Sequence, residues 1–309
     1  EPCEYQTMKK KIFADLHNHS TASDGDFSPE QVIEKAKNLG LRAIAITDHD
    51  TLNGLQSAIE AGKKHGIEVV PGAEISVRFK RSFFTGTLHL LCYFDMERLD
   101  HEDFITAINL VLSNGRGPAL VNARINEINA FFGPDGQTPR LCRNMEYNDL
   151  ASLSPNITRR HFALALKEVF NIKEEGQIHS IIGNDSPAYL PSGIKLEDVR
   201  SLINKERLFC VLAHPAAGSF PGKGHYKEVL PPLETVLQLF PEFIEAGVRG
   251  LEISYPGHTK KHQDFLKTLA MQHELIITGG SDSHDGTERP LGVAGLSESE
   301  FLMFKKALV

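Results

Sequence analysis

The stretch Asp15-Leu-His17-Asn-His19-Ser-Thr-Ala-Ser-Asp24 carries the densest set of groups able to do chemistry. It follows a short apolar lead, Ile12-Phe13-Ala14, and reads as the end of a strand. Side chains alternate faces along a strand, so His17 and His19 should point the same way, about 7 Å apart. Two imidazoles on one face can close on a single metal ion. Asp24, after a short Ser/Thr loop, could ligate a neighbouring ion. Alone, the stretch is equally compatible with two surface histidines beside a capping aspartate, because His-x-His arises readily by chance.

What separates the two readings lies further along the chain. Asp48-His49-Asp50 closes an apolar run at 41–47, Glu74 follows Pro71-Gly72, and His89 is the one residue of the run at 87–93 whose ordinary pKa lies near neutral pH. His214 follows the run at 208–213, and Asp282 and His284 follow the one at 275–278. Each run reads as a buried strand, so polar groups collect where strands end. In a barrel those ends converge on one face. Imidazoles and carboxylates suit zinc, manganese or iron rather than calcium or a thiolate cluster. The set His17, His19, Asp24, His49, Glu74, His89, His214, Asp282 and His284 is too large for one ion, which implies two to three divalent metal ions.

The intervening elements have the pattern needed to place these groups. Ser28-Pro-Glu-Gln31 opens a helix with Ser as N-cap, Pro at the first position and Gln closing a capping box. Val32, Ile33, Ala36 and Leu39 form its apolar stripe, and Gly40 ends it. A second helix at 52–65 and a strand at 67–70 follow. From 101 to 195 the segments are helical, at 104–112, 119–132, 158–170 and 174–182, with a turn at Gly133-Pro-Asp-Gly136. The strand–helix rhythm then resumes, with strands at 208–213, 250–254 and 275–278 and helices at 232–246 and 259–273. The expected architecture is α/β: parallel strands in a barrel over 8–100 and 196–309, with an inserted helical subdomain over 101–195 covering the active site. No Gly-x-Gly-x-x-Gly follows the first strand, which speaks against a dinucleotide-binding sheet.

At 309 residues, with 41% hydrophobic and 24% charged residues, the chain can bury a full barrel core. A net charge of −7 argues against a general grip on duplex DNA but leaves room for a small anionic ligand. Cys3, Cys92, Cys142 and Cys210 show no close spacing, and Cys92 and Cys210 read as buried free thiols of a reducing compartment. No apolar run has the length of a membrane span, and no signal-peptide core opens the chain. The expectation is a cytoplasmic protein with no membrane partner. Residues 1–7 read as a loose leader, with Met8 as the beginning of the ordered chain.

Asp-Leu-His17-Asn-His19-Ser with Asp24-Gly25, Thr47-Asp48-His49-Asp50, Pro71-Gly72-Ala-Glu74, Ala213-His214-Pro215 and Gly280-Ser-Asp282-Ser-His284 resemble the motifs of the PHP (polymerase and histidinol phosphatase) family. The resemblance implies a distorted seven-stranded, TIM-like β/α barrel with a trinuclear metal site. It implies one ion on His17, His19, Glu74 and Asp282, and a second on His89 and His214, bridged by Glu74. Asp24, His49 and His284 would hold the third. Asp48 would orient a histidine, or Asp48 or a histidine such as His214 would protonate the leaving group.

Within the family, the helical insertion is similar to that of the 3′,5′-nucleoside bisphosphate phosphatases, and Ile157-Thr-Arg-Arg-His-Phe162 resembles their Thr-Arg-x-His-Phe motif. That likeness implies Arg159 and His161 as phosphate-side contacts, with Arg116 as a further candidate. The bland alternative is a helix N-terminus capped by Thr158 with two solvated arginines, although basic residues are unfavourable there. The implied activity is hydrolysis of a phosphomonoester, the substrate a nucleotide or short oligonucleotide. A 5′→3′ exonuclease on short RNA, a histidinol phosphatase and a non-catalytic metal-bound module are the rival expectations. Lys223, His225 and His258 lie in loops that could overhang the site.

Overall fold

The computed structural model describes residues 11–222 and 230–308. Lys223, His225 and the leader at 1–7 lie outside the described residues. Seven strands lie side by side in chain order: β1 (Ala14–Asp15), β2 (Ala43–Ile46), β3 (Glu68–Arg81), β4 (Phe84–Tyr93), β5 (Phe209–Leu212), β6 (Gly250–Ser254) and β7 (Ile276–Gly279). Backbone bonds from Leu16 N to the Gly279 carbonyl (3.2 Å) and from Asp282 N to the His17 carbonyl (2.8 Å) bring the first strand against the last. The barrel expected from the sequence is present.

Its strand directions differ from the all-parallel expectation. β1, β2 and β3 pair in parallel, as do β5, β6 and β7, but β4 is antiparallel to both neighbours. β3 does not stop at Pro71-Gly72. It continues to Arg81 and returns as β4 through the two-residue loop Ser82-Phe83, with Arg81 opposite Phe84. A buried apolar run has no direction of its own, so the hairpin was invisible to periodicity. Glu74 therefore lies in mid-strand, opposite Leu91, and His89 lies opposite Ser76.

Helices α1 (Pro29–Asn38) and α2 (Leu55–His65) cover the first strands. The capping box at Ser28 forms as read, with Gln31 N donating to Ser28 Oγ and Ser28 N to Gln31 Oε1. Outside the barrel, α8 (Leu196–Glu206) and α9 (Leu233–Ala246) pack on each other, and α10 (Lys260–Gln272) lies against β6. Helix α11 (Glu298–Leu308), unread in the sequence, sends Phe301 and Phe304 among Ala14, Val70, Tyr93, Phe209 and Val211. That cluster fills the barrel, leaving the polar groups to the other end.

Between β4 and β5 run α3 (Glu102–Ser113), α4 (Pro118–Phe132), α5 (Asn148–Ala151), α6 (Arg159–Glu168) and α7 (Glu175–Ile182). Phe104, Ile108 and Leu112 of α3 join the core shared by the barrel and its outer helices. Residues from Val121 to Ala188 form a separate apolar cluster, including Ile125, Phe132, Leu150 and Phe162. The insert's own core thus begins at α4, inside the 101–195 span drawn from the sequence.

Candidate metal centre

Glu74 is the hub. Its backbone N–H donates to the Thr47 carbonyl (3.1 Å), and its buried carboxylate faces five imidazoles. Oε2 lies 3.2 Å from His17 Nε2, 3.1 Å from His19 Nε2 and 3.2 Å from His49 Nδ1. Oε1 lies 3.1 Å from His214 Nε2 and 3.2 Å from His89 Nδ1. All nine ligand candidates from the sequence therefore share one pocket, with Asp282, Asp24 and His284 completing it.

Three groupings emerge. In the first, His17 Nε2 and His19 Nε2 stand 3.4 and 3.2 Å from Asp282 Oδ1 and at the distances just given from Glu74 Oε2. Four donors each about 2.1 Å from a central ion would be about 3.4 Å apart in a tetrahedron, so these edges fit one ion. His17 Nε2, both His19 nitrogens, His49 Nδ1 and Glu74 Oε2 are buried without a hydrogen bond, as expected of atoms whose partner is a cation. The second grouping is Glu74 Oε1, His89 Nδ1 and His214 Nε2, the two ring nitrogens 3.4 Å apart, with His49 near enough to join Glu74 and His89. The third is Asp24, His49 and His284, with His19 adjoining: Asp24 Oδ1 is 3.3 Å from His284 Nε2, and Asp24 Oδ2 is 4.0 Å from His49 Nε2.

Burial alone would raise the carboxyl pKa values, but the imidazoles around them outweigh it. His49, His89 and His17 hold Glu74 well below the usual carboxylate range, His17 and His284 do so for Asp282, and His284 and His49 for Asp24. All three acids are thus anionic at neutral pH, the form a cation requires.

Residues behind the cluster set the tautomers. His17 Nδ1 donates to Glu252 Oε1 (3.0 Å), which leaves Nε2 free to face Glu74. The other oxygen of Glu252 accepts the His214 backbone N–H at 2.8 Å. His214 and Asp282 have φ values of +32° and +50°, a left-handed backbone that costs about 1 kcal/mol or more each. The Glu252 bond and the Asp282 N bond to the His17 carbonyl hold these conformations. Tyr255 donates its hydroxyl to Asp282 Oδ2 at 2.9 Å. Gly280 lies so close to His17 that a Cβ would stand 2.4 Å from the His17 Cβ, so only glycine fits there. His258 is buried, donating from Nδ1 to the Ile253 carbonyl and accepting the Ala216 N–H at Nε2, and burial pushes its pKa down to about 4.

Other sequence candidates have different surroundings from those expected. Asp48 accepts the Ser20 N–H (2.7 Å), the Ser20 hydroxyl (2.6 Å) and the Ser23 hydroxyl (2.6 Å). Its carboxylate shapes the loop that carries Asp24, and these serine groups rather than a histidine are its hydrogen-bond partners among the described residues. Arg116 pairs with Asp50 and donates to Ser76 Oγ (2.8 Å), so its guanidinium too is engaged by the protein. Arg159 donates to Asn184 Oδ1 (2.8 Å) and lies over the Tyr189 ring. It is Arg160 that reaches the ligand loop, donating to the Asp24 carbonyl (2.9 Å) and to Asp26 (2.8 Å). His161 Nδ1 accepts the Thr158 N–H at 2.9 Å, and burial lowers the ring's pKa. Arg124, missed in the sequence, donates twice to the Leu190 carbonyl, and burial with Arg159 and Arg116 nearby pushes its pKa down to about 9.

Glu252 escaped the sequence reading, although an acid inside the apolar run Gly250-Leu-Glu-Ile-Ser254 was an available signal. Thr158 caps α6 as read, in a capping box with His161, but nothing local marked its bond to Asp24.

Residues 15–244 match the PHP domain family. A 5′-3′ exoribonuclease of Haemophilus influenzae is 26% identical over 90% of this chain and 91% of its own length. A phosphoribosyl 1,2-cyclic phosphate 1,2-diphosphodiesterase of Eggerthella lenta is 26% identical over 88% and 94%. A 3′,5′-nucleoside bisphosphate phosphatase of Chromobacterium violaceum is 28% identical over 87% and 86%. Among solved structures, an amidohydrolase from Chromobacterium violaceum with bound sulfate superposes with a TM-score of 0.72 at 24% identity, covering 96% of each chain, which bears out the fold.

Proposed function

This chain belongs to the PHP domain family, and we propose that it is a metal-dependent hydrolase that removes the 3′-phosphate of a nucleoside 3′,5′-bisphosphate. The observation that carries the reading is the Glu74 hub: buried, anionic, and within 3.1–3.2 Å of five imidazole nitrogens, with Glu252 behind His17 fixing that ring's tautomer. Two donor sets, His17–His19–Glu74–Asp282 and Asp24–His49–His284, would each suit one divalent ion of the manganese, zinc or iron kind, and a third would sit by Glu74 and His89, with His49 or His214 beside them. Ions bound there would lower the pKa of a water and neutralise charge on a phosphate.

The chain's own residues supply orientation. Glu252 keeps His17 presenting Nε2, Tyr255 fixes Asp282, and Asp48 clamps the loop before Asp24. His161, with Nδ1 already accepting from Thr158, would offer an Nε2–H donor to the substrate. Arg159 lies beside Arg124 on the insert and would take the second phosphate, giving up Asn184 for a charge-assisted bond. Arg116 supports this wall through Asp50.

Removal of 5′-terminal nucleotides from short RNA is the second reading, favoured by the near full-length similarity to an exoribonuclease. Phosphate release from a panel of nucleoside bisphosphates, nucleoside monophosphates, histidinol phosphate and short oligoribonucleotides, with metal content measured on the same sample, tests both. Rapid release from bisphosphates alone supports the first. Mononucleotides appearing from RNA while bisphosphates persist would replace it with the second.

A further inference from the structure

The three ion sites are not held in the same way. The first two are supported from the barrel: Glu74 sits in mid-β3, His17 and His214 lean on Glu252 of β6, and Asp282 leans on Tyr255 and the His17 carbonyl. Asp24 and His49 lie in loops, and those loops are gripped by the segment 154–160 that leads into α6 of the insert. Ser154 Oγ donates to the Ser23 carbonyl (3.0 Å), Asn156 Nδ2 to the His49 carbonyl (2.6 Å), and Arg160 to the Asp24 carbonyl (2.9 Å). Thr158 Oγ1 donates to the Asp24 carboxylate itself, at Oδ2 (2.9 Å).

We propose that Thr158 and Asn156 of the helical insert are positioning residues that complete the ion site of Asp24, His49 and His284, so that occupancy of this one ion depends on the insert being docked. The inference rests on the three-ion reading above. The Thr158 bond takes one carboxylate oxygen and fixes the rotation of the group, leaving Oδ1 toward His284 Nε2 (3.3 Å) and His19 Nδ1 (3.7 Å). The Asn156 bond fixes the backbone from which the His49 ring projects. Asp48 and the bridge from His49 to Glu74 still hold the two loops. Without Thr158 and Asn156, however, the Asp24 carboxylate loses the bond that fixes its rotation and the His49 carbonyl loses a partner. Loss of such an outer partner commonly weakens a metal site by about 10–100-fold. His161, which would touch substrate, is bonded through Nδ1 to the same Thr158. Ion and substrate therefore bias one docking equilibrium, and each should tighten the other by the same factor.

The test is a manganese titration of the full chain by calorimetry, with elemental analysis after desalting, on wild type, Thr158→Val, Thr158→Ser and Asn156→Ala. Circular dichroism and melting on each variant confirm that it is folded. Wild type should show three ions, Thr158→Val and Asn156→Ala should retain two and bind the third about 10–100-fold more weakly, and Thr158→Ser should restore it. Three ions in wild type and three, equally tight, in both folded variants would overturn the proposal while leaving the metal centre intact. Loss of all three ions together in a folded variant would also overturn it. Failure of wild type to bind any divalent ion would remove the three-ion reading and this proposal with it.

Discussion

His17 Nδ1 and Glu252 Oε1 stand 3.0 Å apart although 235 residues separate them along the chain, and this one bond decides which nitrogen His17 turns toward Glu74. Both side chains are fully buried. Glu252→Gln keeps the size but must set its amide N–H₂ against one of two donors, His17 Nδ1–H or His214 N–H. Metal affinity should fall about 10–100-fold, with the loss read by competition against a fluorescent chelator. Unchanged affinity would mean that the tautomer is set elsewhere.

Asp282 offers Oδ1 to both His17 and His19, and Oδ2 to Tyr255. Asp282→Ala removes a charged corner of the first ion site and should lower phosphate release from nucleoside bisphosphates by about a thousandfold or more with manganese present. A rate within tenfold of wild type would place the chemistry away from this site.

Arg159 on the insert should act on binding. Arg159→Ala is expected to raise KM for a nucleoside 3′,5′-bisphosphate by about 10–100-fold, the worth of one charge-assisted bond, with kcat little changed. The effect should shrink for a substrate with a single phosphate. Equal loss on both substrates would argue against a second-phosphate contact.

Removal of metal should destabilise the fold, because ions bound to the native cluster and not to the unfolded chain stabilise by mass action. Manganese at a thousand times its dissociation constant adds about 4 kcal/mol per site, so the chelated protein should melt several degrees lower and recover on adding the ion. Coincident melting curves with and without chelator would count against a loaded centre.

His258 makes a pH prediction. Its folded pKa of about 4 lies below the unfolded value near 6.5, so the unfolded chain takes up a proton first as the solution is acidified. Its contribution is complete above about pH 6.5 and is lost as the pH falls toward 4. Between pH 7 and 5 this costs about 2 kcal/mol. His258→Gln should flatten that part of the stability profile by this amount in urea unfolding, relative to wild type. Parallel profiles for the two proteins would show that the ring does not titrate as placed.

Much of the centre was legible because most of the ligands belong to short motifs that close an apolar run, and His89 stands out as the imidazole inside one. His17, His19, Asp24, His49, Glu74, His89, His214, Asp282 and His284 could be named in advance, and the structure brings them together. The roles of Asp48 and Arg116 were not legible. Their types suited chemistry, but Ser20 and Ser23 in one case and Asp50 in the other had already engaged them. Side-chain type announces what a group can do; only its neighbours decide whether it is free to do it.

The sequence by itself determined the alternation of strands and helices around the insert, the capping of α1 and the inventory of imidazoles and acids, since these depend on residues a few positions apart. The tertiary structure alone decided that β4 runs against its neighbours, that Glu252 stands behind His17, and that Thr158 reaches across to Asp24. A buried strand is apolar whichever way it runs, and a hydrogen bond spanning 134 residues leaves no periodic trace on either side. Those choices follow from closing the barrel and seating the insert, where burial of the whole chain selects one set of partners.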